Sequence, residues 1–140
     1  MRVLLAADGS KFTKKALAFL VTHESLMNSD DELLVLNVQI PVPGRVRAML
    51  GSAVVAAYHF EEGAKVLDPI KKFLGKHALN YRCASVVGHP VEEILKAAAD
   101  EKSHLIVMGT HGHGLIGRAL MGSIAQRVVS DGDVPVLLVK

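Results

Sequence analysis

The chain has 140 residues, half of them hydrophobic and 21% charged, which is the size of one ordinary domain and excludes a disordered composition. Sixteen basic residues against 14 acidic ones leave a formal net charge of +2, and there is no Trp, two Tyr and four Phe, so the basic stripe and stacking aromatics of a nucleic-acid binder are missing. No apolar run is long enough to cross a bilayer, and the opening Met1-Arg2-Val3-Leu4-Leu5-Ala6-Ala7-Asp8 is too short for a secretory apolar core, so the sequence reads as cytoplasmic.

The predicted elements alternate from the start. Arg2–Asp8 is an apolar run ending in an acid. Ser10 or Thr13 then caps a helix expected to reach about Met27, with Ala16, Leu17, Leu20 and Val21 on one face. Glu32–Gln39 is the second strand. Ile40-Pro41-Val42-Pro43-Gly44-Arg45 reads as a loop, and a helix from roughly Ala48 to Leu79 is expected to kink or break at Pro69, weakened further by Gly51 and Gly63. Tyr81–Gly88 is the third strand, and its lone Cys83 reads as a small buried side chain. Pro90 stands just inside the next helix, where Val91, Ile94, Leu95 and Ala98 recur at helical spacing. His104–Thr110 is the fourth strand. After Gly122 and Ser123 comes a last helix with Ile124, Val128 and Val129 turned inward, and Val134–Lys140 closes the chain as the fifth strand.

Near-continuous apolar strands alternating with helices describe a single α/β domain over residues 1–140, a parallel sheet covered by helices on both faces, Rossmann-like.

The most informative stretch runs from Gly109 to Ser123, with five glycines in the fourteen residues 109–122, after a buried strand and before a helix. Glycine lets backbone N–H groups approach a phosphate, and the helix N-terminus beyond offers unpaired donors; a tightly turned loop with awkward backbone angles explains the same composition. Three familiar patterns fail on context. Gly112-His113-Gly114-Leu115-Ile116-Gly117 fits the dinucleotide fingerprint but follows the fourth strand instead of the first. Arg118-Ala119 stands where a Walker loop needs Lys and Ser or Thr. Thr110-His111-Gly112-His113 matches a nucleotidyltransferase signature that belongs near a first strand. Alternating His111 and His113, with His104 or His89, could chelate a metal, though a polar loop is the simpler reading.

The spacing of Gly109, Gly112, Gly122 and Ser123 meets G-x2-G-x9-G-[S/T], and the chain here resembles the nucleotide-binding branch of the universal stress protein family. The resemblance extends to Val3-Leu4-Leu5-Ala6-Ala7-Asp8-Gly9-Ser10, Leu36-Asn37-Val38, Gly88-His89-Pro90 and Val134-Pro135-Val136-Leu137-Leu138-Val139. It implies an open five-stranded sheet of order 3-2-1-4-5 and a crevice between the ends of strands one and four. It further implies a stress-response module binding ATP or AMP, with or without Mg. Asp8 would contact the nucleoside and the Val38 backbone would read adenine. Gly112, Gly122 and Ser123 would hold phosphates, with Gly109 and Ile124 beside them. Asp8 also reads as a helix or turn cap, and Arg118 as a phosphate counter-charge or a solvated loop residue. Ala125 and His113 depart from the pattern, standing where relatives often carry a hydroxyl and an Arg or Lys. A nucleotide-free dimeric interaction protein and a slow ATP hydrolase are the alternative functions. A homodimer through the edge strand 134–139 is expected, with no nucleic acid or membrane partner.

Overall fold

The computed structural model describes residues 1–113 and 121–140. In chain order the elements are β1 (Arg2–Ala6), α1 (Lys11–Thr22), β2 (Glu32–Gln39), α2 (Gly44–Leu50), α3 (Ser52–Leu74), β3 (Asn80–Val87), α4 (Pro90–Asp100), β4 (Leu105–Gly109), α5 (Ser123–Asp131) and β5 (Val136–Val139). The strands form one parallel sheet of order β3-β2-β1-β4-β5. The chain thus leaves β1 toward one edge and returns to its other side at β4, as the strand order expected from the sequence requires.

Because side chains alternate across a strand, the central strands divide their apolar residues between two layers. Val3, Leu5, Leu33, Val35 and Val107 face α1 and α3, where they meet Ala16, Leu17, Leu20, Leu67, Ile70 and Leu74. Leu4, Leu34, Leu36, Ile106 and Met108 face α4 and α5, where they meet Val91, Ile94, Ala98, Ala125 and Val128. Each fully buried leucine or isoleucine contributes about 1.5–3 kcal/mol, so the two layers supply most of the driving force for this topology. β3 and β5 lie at the sheet edges and are only partly covered.

Four expectations from the sequence need correction. The first helix stops at Thr22, well short of Met27. There the Thr22 hydroxyl donates to the Ala18 carbonyl at 2.8 Å and the His23 ring reaches the Phe19 carbonyl at 2.8 Å, so side chains satisfy the carbonyls that further helix would have used. The second crossover begins its helix at Gly44 and breaks at Gly51, whose φ of 82° only glycine adopts readily. Pro69 instead lies inside α3, which ends at Leu74 and does not reach Leu79. Gly63 seats that helix on the sheet, since a Cβ there would lie 2.7 Å from Ser85 Oγ and 3.0 Å from Gln39 Nε2. In α5 the inward residues are Ala125 and Val128, whereas Ile124 and Val129 are 39% and 45% exposed. Their positions at i and i+3 turn Ala125 and Val128 to one face, and Ile124 and Val129 flank it.

Candidate functional site

The reversal of strand order opens a cleft of about 460 Å³ beyond the C-terminal ends of β1, β2 and β4, within the size range of small-molecule sites. Seven of the sequence-nominated residues border it: Asp8, Val38, Gly109, Gly112, Gly122, Ser123 and Ile124. Ser10, Pro90 and Ser123 are also on its wall, so the N-termini of α1, α4 and α5 open onto the same space. Arg118 lies outside the described residues.

Asp8 divides its two oxygens between two surroundings. Oδ1 accepts the Ser10 N–H at 2.9 Å and the Thr13 hydroxyl at 3.0 Å, which closes the turn into α1. The capping role is therefore present. Oδ2 lies against Gly112, where a Cβ would stand 2.7 Å away. The main chain around Asp8 is pinned by side chains from α1, from β2 and from the segment after β4. Thr13 Oγ1 accepts its N–H at 3.1 Å, and the His113 Nε2–H donates to its carbonyl at 2.6 Å. The buried Asn37 amide donates to the preceding Ala7 carbonyl at 2.9 Å.

Asn37 is itself held. Its Oδ1 accepts the Ser85 hydroxyl at 3.2 Å, and Gln39 links the same group to α3 by donating to the His59 carbonyl at 2.7 Å while its Oε1 accepts from the His59 ring at 2.7 Å. The run Leu36-Asn37-Val38 reads as plain strand, and Asn37 as a site-building residue escapes it. A lone amide in the middle of a buried apolar strand was the available signal, since such a group needs partners.

Val38 offers main chain as well as side chain. Leu36 O accepts the Ala7 N–H on the β1 side, and Gln39 O accepts the Gly88 N–H on the β3 side. The alternation along a parallel strand then turns the Val38 N–H and C=O toward the β1 side, beyond Ala6, the last residue of β1. Among the described residues, one peptide edge of β2 therefore faces the cleft without a strand partner.

At the opposite wall, Gly122 spends its N–H on the Thr110 carbonyl at 2.6 Å, which holds the residue before α5 at the end of β4. The first intrahelical bond of α5 is from Gln126 N–H to Gly122 O, which leaves the N–H groups of Ser123, Ile124 and Ala125 as the donors of the first turn. Gly122 thus positions these donors and does not add its own. Gly109 has a different use. A Cβ on it would collide with Phe12 Cβ and come within 3.0 Å of the His111 carbonyl, so glycine here lets α1 pack against β4.

The four histidines do not form a metal-binding group, His89 standing at the N-cap position of α4. His113 is bonded to Asp8, and His111 bonds Thr110 Oγ1 at 2.8 Å and packs on the Phe12 ring. His104 accepts the Arg2 N–H at the far end of the sheet. Among the described residues no three His, Cys, Asp or Glu side chains are grouped closely enough to hold a metal ion. Cys83 is half-buried on β3, and that burial pushes its thiol pKa up, offset in part by the charge of Lys71.

These features define an open parallel α/β domain with a concave site at its topological switch point, walled by helix N-termini and one carboxylate. The chain belongs to the universal stress protein family, which it matches over residues 1–140. It is 35% identical over 138 residues to a universal stress protein of Thermus aquaticus encoded 3′ of a QAH/OAS sulfhydrylase, covering 99% of this chain and 97% of that one. Its fold superposes on hypothetical protein MJ0577 of Methanocaldococcus jannaschii with a TM-score of 0.84 at 29% identity, over 99% of this chain and 94% of the other. It also superposes on a universal stress protein family protein from Arabidopsis thaliana with AMP bound, with a TM-score of 0.70 at 18% identity, over 100% and 90% of the two chains. No helix among the described residues is long and apolar enough to cross a membrane.

Proposed function

We propose that this protein is a stress-response or regulatory module that binds an adenine nucleotide, ATP or AMP, in the cleft between β1 and β4. The observation that carries this reading is the pairing, in one cleft, of the Val38 peptide edge, without a strand partner among the described residues, with the first-turn N–H groups of α5. An adjacent N–H and C=O complement the ring acceptor and exocyclic amine of adenine, and a helix N-terminus suits phosphate. Asp8 Oδ2, near Gly112, is placed for the sugar. Gly112 keeps the loop close to Asp8, Ser123 adds a hydroxyl at the phosphate end, and Ile124 and Gly109 border the ligand.

Two relatives of the same fold support the ligand class, one with AMP bound and one in complex with cAMP. Asp8 is the carboxylate available to a nucleotide-bound Mg, and it has one oxygen free of the α1 turn. Binding, more than turnover, is the reading favoured, because that carboxylate is shared with the turn into α1. In this reading the protein is cytoplasmic and forms a homodimer by pairing β5, within the C-terminal segment 134–139, with its twin.

The test is to denature the purified protein, identify released small molecules and titrate the stripped protein with ATP and AMP in a calorimeter. Released adenine nucleotide or saturable heat supports the reading. Neither, at millimolar nucleotide, overturns it. A monomeric mass by light scattering at micromolar concentration overturns the dimer.

A further inference from the structure

Ser10 is 5% exposed, and among the described residues its hydroxyl is the one buried side-chain polar atom without a hydrogen-bond partner. It precedes α1 at the N-cap position yet makes no capping bond. The Asp8 and Thr13 side chains bond each other and the turn before α1, and neither engages the Ser10 hydroxyl. An N-cap serine normally satisfies its own hydroxyl on the helix. A buried hydroxyl left idle calls for an explanation, and one recurrent explanation is an absent ligand atom.

Ser10 lines the cleft, two residues from the Asp8 carboxylate. Of the two α1 hydroxyls on that wall, Thr13 is already committed to Asp8 Oδ1, whereas no bond holds the Ser10 side chain in one rotamer. The local charge narrows the chemistry. A carboxylate disfavours phosphate but accepts from hydroxyl groups, and a serine hydroxyl can donate to or accept from them. The phosphate-compatible donors lie at α5, across the cleft, where no acid stands in the first turn.

We infer that the Ser10 hydroxyl is a ligand-binding group that, with Asp8, recognises a sugar hydroxyl of the bound nucleotide. The inference rests on the nucleotide reading above and adds a specificity determinant to it. It also makes an unusual demand on one substitution. Removing the idle hydroxyl relieves the free protein and weakens the complex.

The experiment compares wild type, Ser10→Ala and the near-isosteric Ser10→Cys by calorimetry with AMP, 2′-deoxy-AMP and 3′-deoxy-AMP, alongside thermal unfolding without ligand. Wild type is expected to prefer AMP over at least one deoxy analogue by about tenfold. Ser10→Ala is expected to lose about tenfold in AMP affinity, leave that deoxy analogue unchanged and melt about 2–4 °C higher. Should the alanine variant not fold, the cysteine variant carries the same expected loss of preference. Unchanged AMP affinity, or an equal loss for AMP and both deoxy analogues, overturns the assignment of Ser10 while the nucleotide reading stands. Absence of binding of all three by wild type overturns the nucleotide reading, and this inference with it.

Discussion

Gly112 and Asp8 are fitted to each other: a single methyl group on Gly112 would stand 2.7 Å from Asp8 Oδ2, closer than a side-chain carbon can sit to a carboxylate oxygen. Gly112 and the end of β1, more than a hundred residues apart in sequence, meet on one wall of the cleft, and the absence of a side chain on Gly112 permits that approach. The carboxylate oxygen not used by the α1 turn is thereby kept at the edge of the cleft.

Gly112→Ala should accordingly push the carboxylate aside. Asp8 can yield only at the expense of the Oδ1 bonds to Ser10 and Thr13. The expected result is a loss of nucleotide affinity of about tenfold or more with a stability change below about 1 kcal/mol, since the site is at the surface. Calorimetry and urea unfolding of the same preparation check both halves.

Gly109→Ala should behave in the opposite way. The added carbon meets Phe12 Cβ and the His111 carbonyl, both parts of packed structure. Overpacking of this kind costs about 1–3 kcal/mol. Urea unfolding should show a lower midpoint with an unchanged slope, and saturating ligand should not remove the difference.

Asn37→Leu keeps the branched outline of the side chain, in a larger volume, and removes its bonds to the Ala7 carbonyl and the Ser85 hydroxyl. The buried Ala7 carbonyl is left unpaired, at a cost of about 1–3 kcal/mol, whereas the exposed Ser85 hydroxyl keeps Gln39 and can turn to water. The chain just before Asp8 also loses its anchor. Lower stability should therefore come with weaker nucleotide binding, and crystals of the variant should show the Ala7–Asp8 peptide displaced.

Acid stability should depend on Asp31. Its carboxyl pKa is held below the ordinary 3.8 by the hydrogen bond from the Met1 ammonium and by the Asn28 N–H, against an opposing effect of burial. A depressed folded-state pKa means that the carboxylate adds stability above pH 3.8, and that this contribution fades as pH falls through the lower folded value. Asp31→Asn should be less stable than wild type at neutral pH, and the gap should close on acidification. Thermal unfolding between pH 7 and pH 3 reads this directly.

The Cys83 thiol should react slowly with alkylating reagents at neutral pH. Burial favours the neutral thiol, and the thiolate is the nucleophile. Its rate should rise toward that of a free cysteine when the protein is unfolded in urea.

The sheet was legible in the sequence because buried parallel strands are written as short apolar runs, and the runs at Arg2–Asp8 and His104–Thr110 bracket the observed strands within two residues. Helix ends were less legible. Thr22 and His23 stop α1 through bonds to carbonyls one turn back, which periodicity does not reveal, and Pro69 looked like the natural break although Gly51 with its left-handed φ makes it. At the site, spacing located the residues but did not divide their labour. Nothing in the pattern of glycines separates Gly109, which faces Phe12, from Gly112, which faces Asp8. Asn37 and His113 act through contacts 30 and 105 residues away in sequence, and no local motif announces those contacts.

The packing of Phe12 over Gly109 bears on how such glycine patterns are used as a diagnostic. A protein of this architecture that had given up its ligand would still need a glycine at the end of β4 to seat its first helix. The first glycine of the pattern therefore testifies to the scaffold and would outlast the activity. Gly112, lying against the cleft carboxylate, is the member of the set whose replacement would signal that the pocket has been retired.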